Sequence, residues 1–209
     1  MRIHRMLSTI DAQFASLARV YEASLAASDR KSLMVLRAMV ARPEYLFLIT
    51  KDEERVIGFA IAIGMIGSDA ALLEYMAVRA KYRGSGVGTA LFGAVAEWPE
   101  IADRFLLVEV DSDRKDSDER QERARRKAFY RRLGARELEG VRYVMPPVTE
   151  ATPPVMELMV YRRELPGCIE KERVRGWLED CYAQVYGVAA DDPRIDAMLA
   201  GCRECVALM

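Results

Sequence analysis

Histidine and cysteine are scarce in this chain. There is one histidine, His4, at the start of the first apolar stretch, and it reads as structural. Cysteine is absent until Cys168, and all four, Cys168, Cys181, Cys202 and Cys205, fall in the last fifth of the chain. Only Cys202 and Cys205 are close in sequence, so the two close pairs of a zinc ribbon are missing, and reduced, buried thiols without metal are the expectation. No apolar run approaches the roughly 18 residues that span a membrane. The N-terminal Met1-Arg2-Ile3-His4-Arg5-Met6 lacks the apolar segment of a signal peptide, so the cytoplasm is the expected compartment. A formal net charge of −1 gives no electrostatic reason to expect nucleic acid or an anionic membrane as partner. There is no internal repeat. What remains is an ordinary globular balance, 51% hydrophobic and 30% charged over 209 residues, enough for one good core with an appendage.

The most informative stretch runs from Val78 to Leu91. The apolar run 71–78 ends in a charged turn, three glycines alternate at Gly84, Gly86 and Gly88, and a helical pattern follows at once. That spacing lets successive N–H groups point into one concavity with a helix N-terminus behind them, a geometry that binds phosphate oxygens. Arg83 adds a positive charge at the lip. A dinucleotide fingerprint is excluded, because counting from Gly84 or Gly86 its third glycine falls on Thr89 or Leu91. A P-loop is excluded too, since no Lys-Ser or Lys-Thr follows the last glycine.

Hydrophobic periodicity predicts a strand at 2–7, a helix capped by Ser8 or Thr9 and running to about residue 27, and a short helix at 33–41 ended by Pro43. Residues 45–50 and 56–66 read as a hairpin about 51–54, followed by the strand before the glycines. A helix at 89–98, a strand at 105–110 and a charged helix ending at Leu133-Gly134 come next. Strands at 141–145 and 155–161 flank a proline-rich loop. In the tail, Val174, Trp177, Leu178, Cys181, Tyr182 and Val185 form one helical stripe. Asp192-Pro193 opens a second helix with the stripe Ile195, Met198, Leu199, Cys202 and Val206. Two amphipathic helices cannot stay exposed, so they should pack as a hairpin on the core or on another subunit, making a homodimer one outcome.

Arg83, Gly86 and Gly88, following the strand 72–78, form an R-x-x-G-x-G that closely resembles the acetyl-CoA loop of the GNAT N-acetyltransferase superfamily. The order of elements is similar to that family from Arg2 to about Arg163. The resemblance implies a mixed α/β fold with a mostly antiparallel sheet and flanking helices over 1–165, and the two amphipathic helices of 166–209 form a C-terminal helical extension beyond it. It implies acetyl-CoA as co-substrate, with its diphosphate held at Arg83, Gly84, Ser85, Gly86, Val87, Gly88 and Thr89. Its pantetheine arm would lie against the main chain of Met76 and Val78. Phe129-Tyr130 and Gly134 resemble the F-Y-x-x-x-G segment of the family, in which the tyrosine acts as general acid on the departing thiolate. A phenol of ordinary pKa about 10 stays protonated at neutral pH and can donate to a thiolate of pKa about 8.5. The chain departs from the family at Arg123 and Arg126, where many members carry asparagine and alanine. Arg126 either swings aside or meets the CoA phosphates. The remaining cations of that helix, with acids from Asp111 to Glu122 offsetting them, read as a solvated face.

An amine nucleophile must lose a proton before it attacks a thioester, and a carboxylate is a natural acceptor. Glu74 sits in the strand before the glycines, on the face shared by Met76 and Val78. Burial there would raise its pKa toward neutrality. Glu109, on the next strand, is the competitor. Since no cysteine or Ser–His pair lies near either motif, direct transfer to a primary amine of a small molecule is expected over a covalent enzyme intermediate. Acetylation of a protein N-terminus or lysine, and a catalytically silent CoA-binding domain, are the alternatives.

Overall fold

The structure, a computed structural model, describes residues 2–9, 12–114, 119–147 and 155–209. Asp116 and Asp118, and most of the proline-rich loop between 145 and 155, lie outside the described residues. The strands form a mixed, mostly antiparallel sheet with flanking helices, and six α-helices occur among the described residues. The chain clusters into two compact units. The first is chiefly Met1–Gly64 with Leu73–Ala102, and the second is chiefly Met65–Leu72, Asp103–Pro147 and Thr152–Met209.

In the first unit the strands run in the order β1 (Ile3–Arg5), β2 (Tyr45–Asp52), β3 (Arg55–Gly64) and β4 (Ala70–Val78), of which β4 begins in the second unit. The β2–β3 hairpin turns on Glu53 and Glu54 alone, with Glu53 at φ 51°. Helix α1 (Ala12–Ser24) buries Phe14, Leu17 and Tyr21. It stops short of residue 27 because the Glu22 carbonyl accepts from Arg30 Nη1 at 2.8 Å, and a 3-10 turn at Ala27–Asp29 follows. Helix α2 (Leu33–Val40) opens on Ser32, whose hydroxyl accepts from the Val35 N–H at 3.3 Å.

In the second unit β5 (Phe105–Asp111), β7 (Met156–Tyr161) and β6 (Arg136–Glu137) lie in the order β5-β7-β6, antiparallel throughout. The strand expected at 141–145 does not form. Tyr143 instead turns its hydroxyl to Glu109, and the Arg142 N–H donates to the Met198 carbonyl at 3.1 Å, so side-chain and loop bonds replace a ladder. Helix α4 (Arg120–Arg132) ends before Gly134, which sits at φ 100° as a C-cap.

The tail folds in cis onto this unit. Helix α5 (Lys171–Gln184) buries the stripe from Val174 to Tyr182, and Trp177 stacks on Phe105 with ring centroids 4.8 Å apart. Helix α6 (Pro193–Leu199) opens on Asp192 as expected, with Asp192 Oδ1 accepting the Arg194 N–H at 2.9 Å. The helical pattern assigned to Cys202 and Val206 fails, because α6 ends at Leu199 and β9 (Cys205–Ala207) pairs with β8 (Cys168–Glu170). Cys168 and Cys205, with Cα atoms 5.6 Å apart, are joined as a disulfide, which corrects the expectation of four free thiols. Cys181 and Cys202 are not joined in a disulfide.

Candidate active site

Beyond β4 the chain is held rigidly before it curls. The Arg79 N–H donates to the Ile57 carbonyl and its Nε to the Val56 carbonyl, both at 2.8 Å. A 3-10 turn at Ala80–Tyr82 then leads into Gly84 and Gly86, at φ 79° and 85°, conformations that side chains resist. Helix α3 (Val87–Ala96) begins two residues earlier than the sequence pattern suggests, so Gly88 already belongs to its first turn. The first bond of the helix runs from the Ala90 N–H to the Gly86 carbonyl at 3.0 Å. The amides of Val87, Gly88 and Thr89 therefore have no acceptor inside the helix, and Gly86 offers no side chain to cap them. A Cβ placed on Gly84 or Gly86 would meet nothing within 4 Å, so the space beside both glycines is open. Such a cradle fits a diphosphate. Arg83 is exposed at its edge, with Nε donating to the Val78 carbonyl at 3.3 Å. The Ser85 hydroxyl closes the turn instead, donating to the Tyr82 carbonyl at 2.6 Å. Behind the cradle, a Cβ on Gly58 would come within 3.0 Å of Leu91 Cδ1 and 3.1 Å of Val87 Cγ1, so glycine lets α3 sit close on β3.

Glu74 lies in the same unit, on β4, with Met76 and Val78 half-buried along the strand after it. Its side chain is 4% exposed. Lys31 Nζ stands 2.6 Å from Oε1, yet neither oxygen has a partner in hydrogen-bond geometry among the described residues. Burial pushes the Glu74 pKa up, while the Lys31 charge and the hydroxyls of Tyr45 and Tyr75 pull it back; burial wins. The sequence reading missed Lys31, Tyr21, Tyr45 and Tyr75, because nothing local links them to Glu74. Lys31 also lines a cavity of about 590 Å³ together with Tyr21, Glu22, Arg30, Leu33 and Val35.

Glu109, the rival carboxylate, belongs to the second unit and is well provided with donors. Tyr143 donates to Oε1, the Tyr186 hydroxyl lies 2.6 Å from Oε2, and Cys181 Sγ is 4.0 Å from Oε1. That unit also holds Tyr130, which is 7% exposed on α4 with the Phe129 ring edge-on to it at 5.1 Å. Burial raises the Tyr130 pKa to about 12. The hydroxyl therefore stays protonated, and complete transfer to a thiolate of pKa about 8.5 is uphill. What the site favours is hydrogen-bond donation to developing negative charge. Arg126 is ion-paired with Asp111, and Arg123 with Glu119 at 2.8 Å. One residue before Ala128, the buried Lys127 Nζ meets Glu137 Oε2 at 2.9 Å, Asp113 Oδ1 at 3.3 Å and Glu157, fixing α4 to β6 and β7.

The family model for the acetyltransferase (GNAT) domain matches residues 43–134, which takes in β2 through α4 and both sequence signatures. Among solved structures, a GNAT-family acetyltransferase from Bacteroides thetaiotaomicron superposes with a TM-score of 0.71 at 23% identity, covering 90% of this chain and 99% of its own. An aminoglycoside 6'-N-acetyltransferase complexed with coenzyme A gives a TM-score of 0.58 at 17% identity, covering 79% and 99%. The ribosomal-protein-S18-alanine N-acetyltransferase from Escherichia coli gives 0.55 at 20% identity, covering 79% and 96%. At these identities the likeness is one of fold. No curated protein matches the chain by sequence. No helix among the described residues is long and apolar enough to cross a membrane.

Proposed function

We propose, from the match of residues 43–134 to the acetyltransferase (GNAT) domain and the fold shared with GNAT acetyltransferases, that the chain transfers an acetyl group from acetyl-CoA directly to a primary amine of a small molecule. The observation that carries this reading is the pairing, within one compact unit, of an open amide cradle with a buried carboxylate of raised pKa. Acetyl-CoA supplies the activated acyl group as a thioester. The amides of Val87, Gly88 and Thr89, with the turn at Gly84, Ser85 and Gly86 and the charge of Arg83, hold its diphosphate. The main chain of Met76 and Val78 aligns the pantetheine arm, and Arg126 and Phe129 belong to the cofactor side. Glu74 takes the proton that the acceptor nitrogen gives up as it bonds to the thioester carbonyl, a step that an amine arriving neutral also needs. Tyr130 donates a hydrogen bond to the charge that develops on sulfur. In this division of labour residues 1–165 carry the chemistry, and 166–209 buttress it.

The test is CoA release with a panel of primary amines, run beside CoA binding by wild type and Gly88→Val. Gly88 is already helical, so the substitution carries no positive-φ strain and probes the space before the amides. Wild type is expected to bind CoA and turn over with at least one amine, and folded Gly88→Val to lose CoA affinity. Unchanged affinity in the variant contradicts the cradle. Tight CoA binding with no turnover on any amine points to a silent binding domain.

A further inference from the structure

Lys31 sits in the short segment between the 3-10 turn and α2, where a lysine would ordinarily keep its head in water. Here its side chain is 13% exposed and its ammonium rests on Glu74. The main chain at Lys31 is tied from two elements. The Tyr21 hydroxyl on α1 donates to the Lys31 carbonyl at 3.1 Å, and the Lys31 N–H donates to the Tyr75 hydroxyl on β4 at 3.4 Å. The two rings pack edge to face with centroids 5.2 Å apart, so the tie is stiff. A buried ion pair of this kind is a weak source of stability, because well-packed apolar residues commonly do as well. Stability alone therefore gives little reason for delivering a lysine head so firmly to one carboxylate.

The surroundings narrow the role. Glu74 is faced by Lys31 from the segment before α2, Tyr21 from α1, Tyr45 from β2 and its neighbour Tyr75 on β4. The three phenols are all pushed up by burial, Tyr21 to about 12, and stay neutral. Arg30 and Glu22 lie further out on the cavity wall, with Arg30 Nη1 donating to the Glu22 carbonyl. Lys31 is thus the cation placed directly against the carboxylate, and it also lines the cavity.

We propose that Lys31 is the positioning residue of the acceptor site, holding Glu74 in the charged form that accepts the amine's proton, with Lys31 itself lining the cavity beside α2. The inference rests on the reading of Glu74 as general base. Its test is the acid limb of kcat/KM for a weakly basic amine that stays neutral across the range, at saturating acetyl-CoA. Lys31→Gln keeps a polar side chain but no charge, and should move that limb upward by about one pH unit or more, with CoA affinity unchanged. Lys31→Arg restores the charge and should hold the limb within about half a unit of wild type. A Lys31→Gln limb at the wild-type position, in a variant that still binds CoA, overturns the proposal. Should Lys31→Gln fail to fold, the arginine variant decides alone, and a limb displaced by more than about half a unit overturns it. Glu74→Gln, run in parallel, separates the two ideas. A wild-type limb in Glu74→Gln refutes the base assignment itself, whereas loss of the limb there with no shift in Lys31→Gln refutes the role of Lys31 only.

Discussion

Glu74 and Glu109 are each a carboxylate inserted into an otherwise apolar strand, one on β4 and one on β5, and their surroundings treat them in opposite ways. Glu109 receives hydroxyls from Tyr143 and Tyr186 with a thiol nearby, so its lone pairs are spent on the protein. Glu74 has one cation at 2.6 Å, no partner in hydrogen-bond geometry among the described residues, and a raised pKa. A buried acceptor left under-satisfied is costly, and it is also the one with capacity for an incoming proton. The same contrast recurs among the lysines. Lys127 is surrounded by three carboxylates and fixes α4 in place, whereas Lys31 meets Glu74 beside an open cavity.

The largest expected effect breaks the comparison at activity. Glu74→Gln should lower turnover by roughly 10²–10⁴-fold, the span of a lost general base, while Glu109→Gln stays within a few-fold of wild type. Steady-state rates of the two folded variants with one amine decide it, and the opposite ranking would exchange the two roles. Tyr130→Phe should also slow turnover, toward the lower end of that range, because it removes a hydrogen bond to developing charge and leaves the ring in place. A rate unchanged when chemistry limits turnover would remove Tyr130 from the mechanism.

Stability should rank the glutamates the other way. Tyr143→Phe takes a donor from a buried carboxylate and should cost about 1.5–3 kcal/mol in denaturant unfolding, with the CoA cradle unaffected. For Glu74 the sign follows from its raised pKa. Its contribution to stability is complete below the unfolded value of 4.5 and is lost as pH rises through the folded value. Glu74→Gln should therefore gain stability relative to wild type as pH increases, and an equal difference at all pH values would mean that Glu74 is not desolvated. Gly58→Ala offers a smaller, independent check. Overpacking against Leu91 and Val87 should cost on the order of 1–3 kcal/mol and weaken CoA binding by displacing the start of α3.

The sequence was readable wherever the cause is local. Alternating glycines after an apolar strand dictate the turn at Gly84 and Gly86, and Asp192-Pro193 dictates the start of α6. The error at α3, begun two residues late, arose because glycine has poor helix propensity and Gly88 nonetheless occupies the first turn. Where the cause is distant, the pattern misled. The apolar residues 141–145 look like a strand, but Tyr143 and Arg142 take their partners from β5 and α6. The helical stripe drawn through Cys202 and Val206 ignores the bond from Cys205 to Cys168, 37 residues earlier, which no spacing announces. Glu74 itself was legible as a carboxylate out of place. Its partner Lys31 was not, since the two are brought together only when the segment before α2 is tied down by Tyr21 and Tyr75.

The most direct measurement of the central claim is the pH dependence of kcat/KM for wild type and Glu74→Gln with one amine that stays neutral throughout. With the amine's own ionisation removed, the account predicts a wild-type rate that rises with pH through an apparent pKa above 4.5 and a flat, much lower profile in the variant. A variant that keeps the wild-type rate and the same rising limb would show that the proton leaves by another route and that Glu74 is structural.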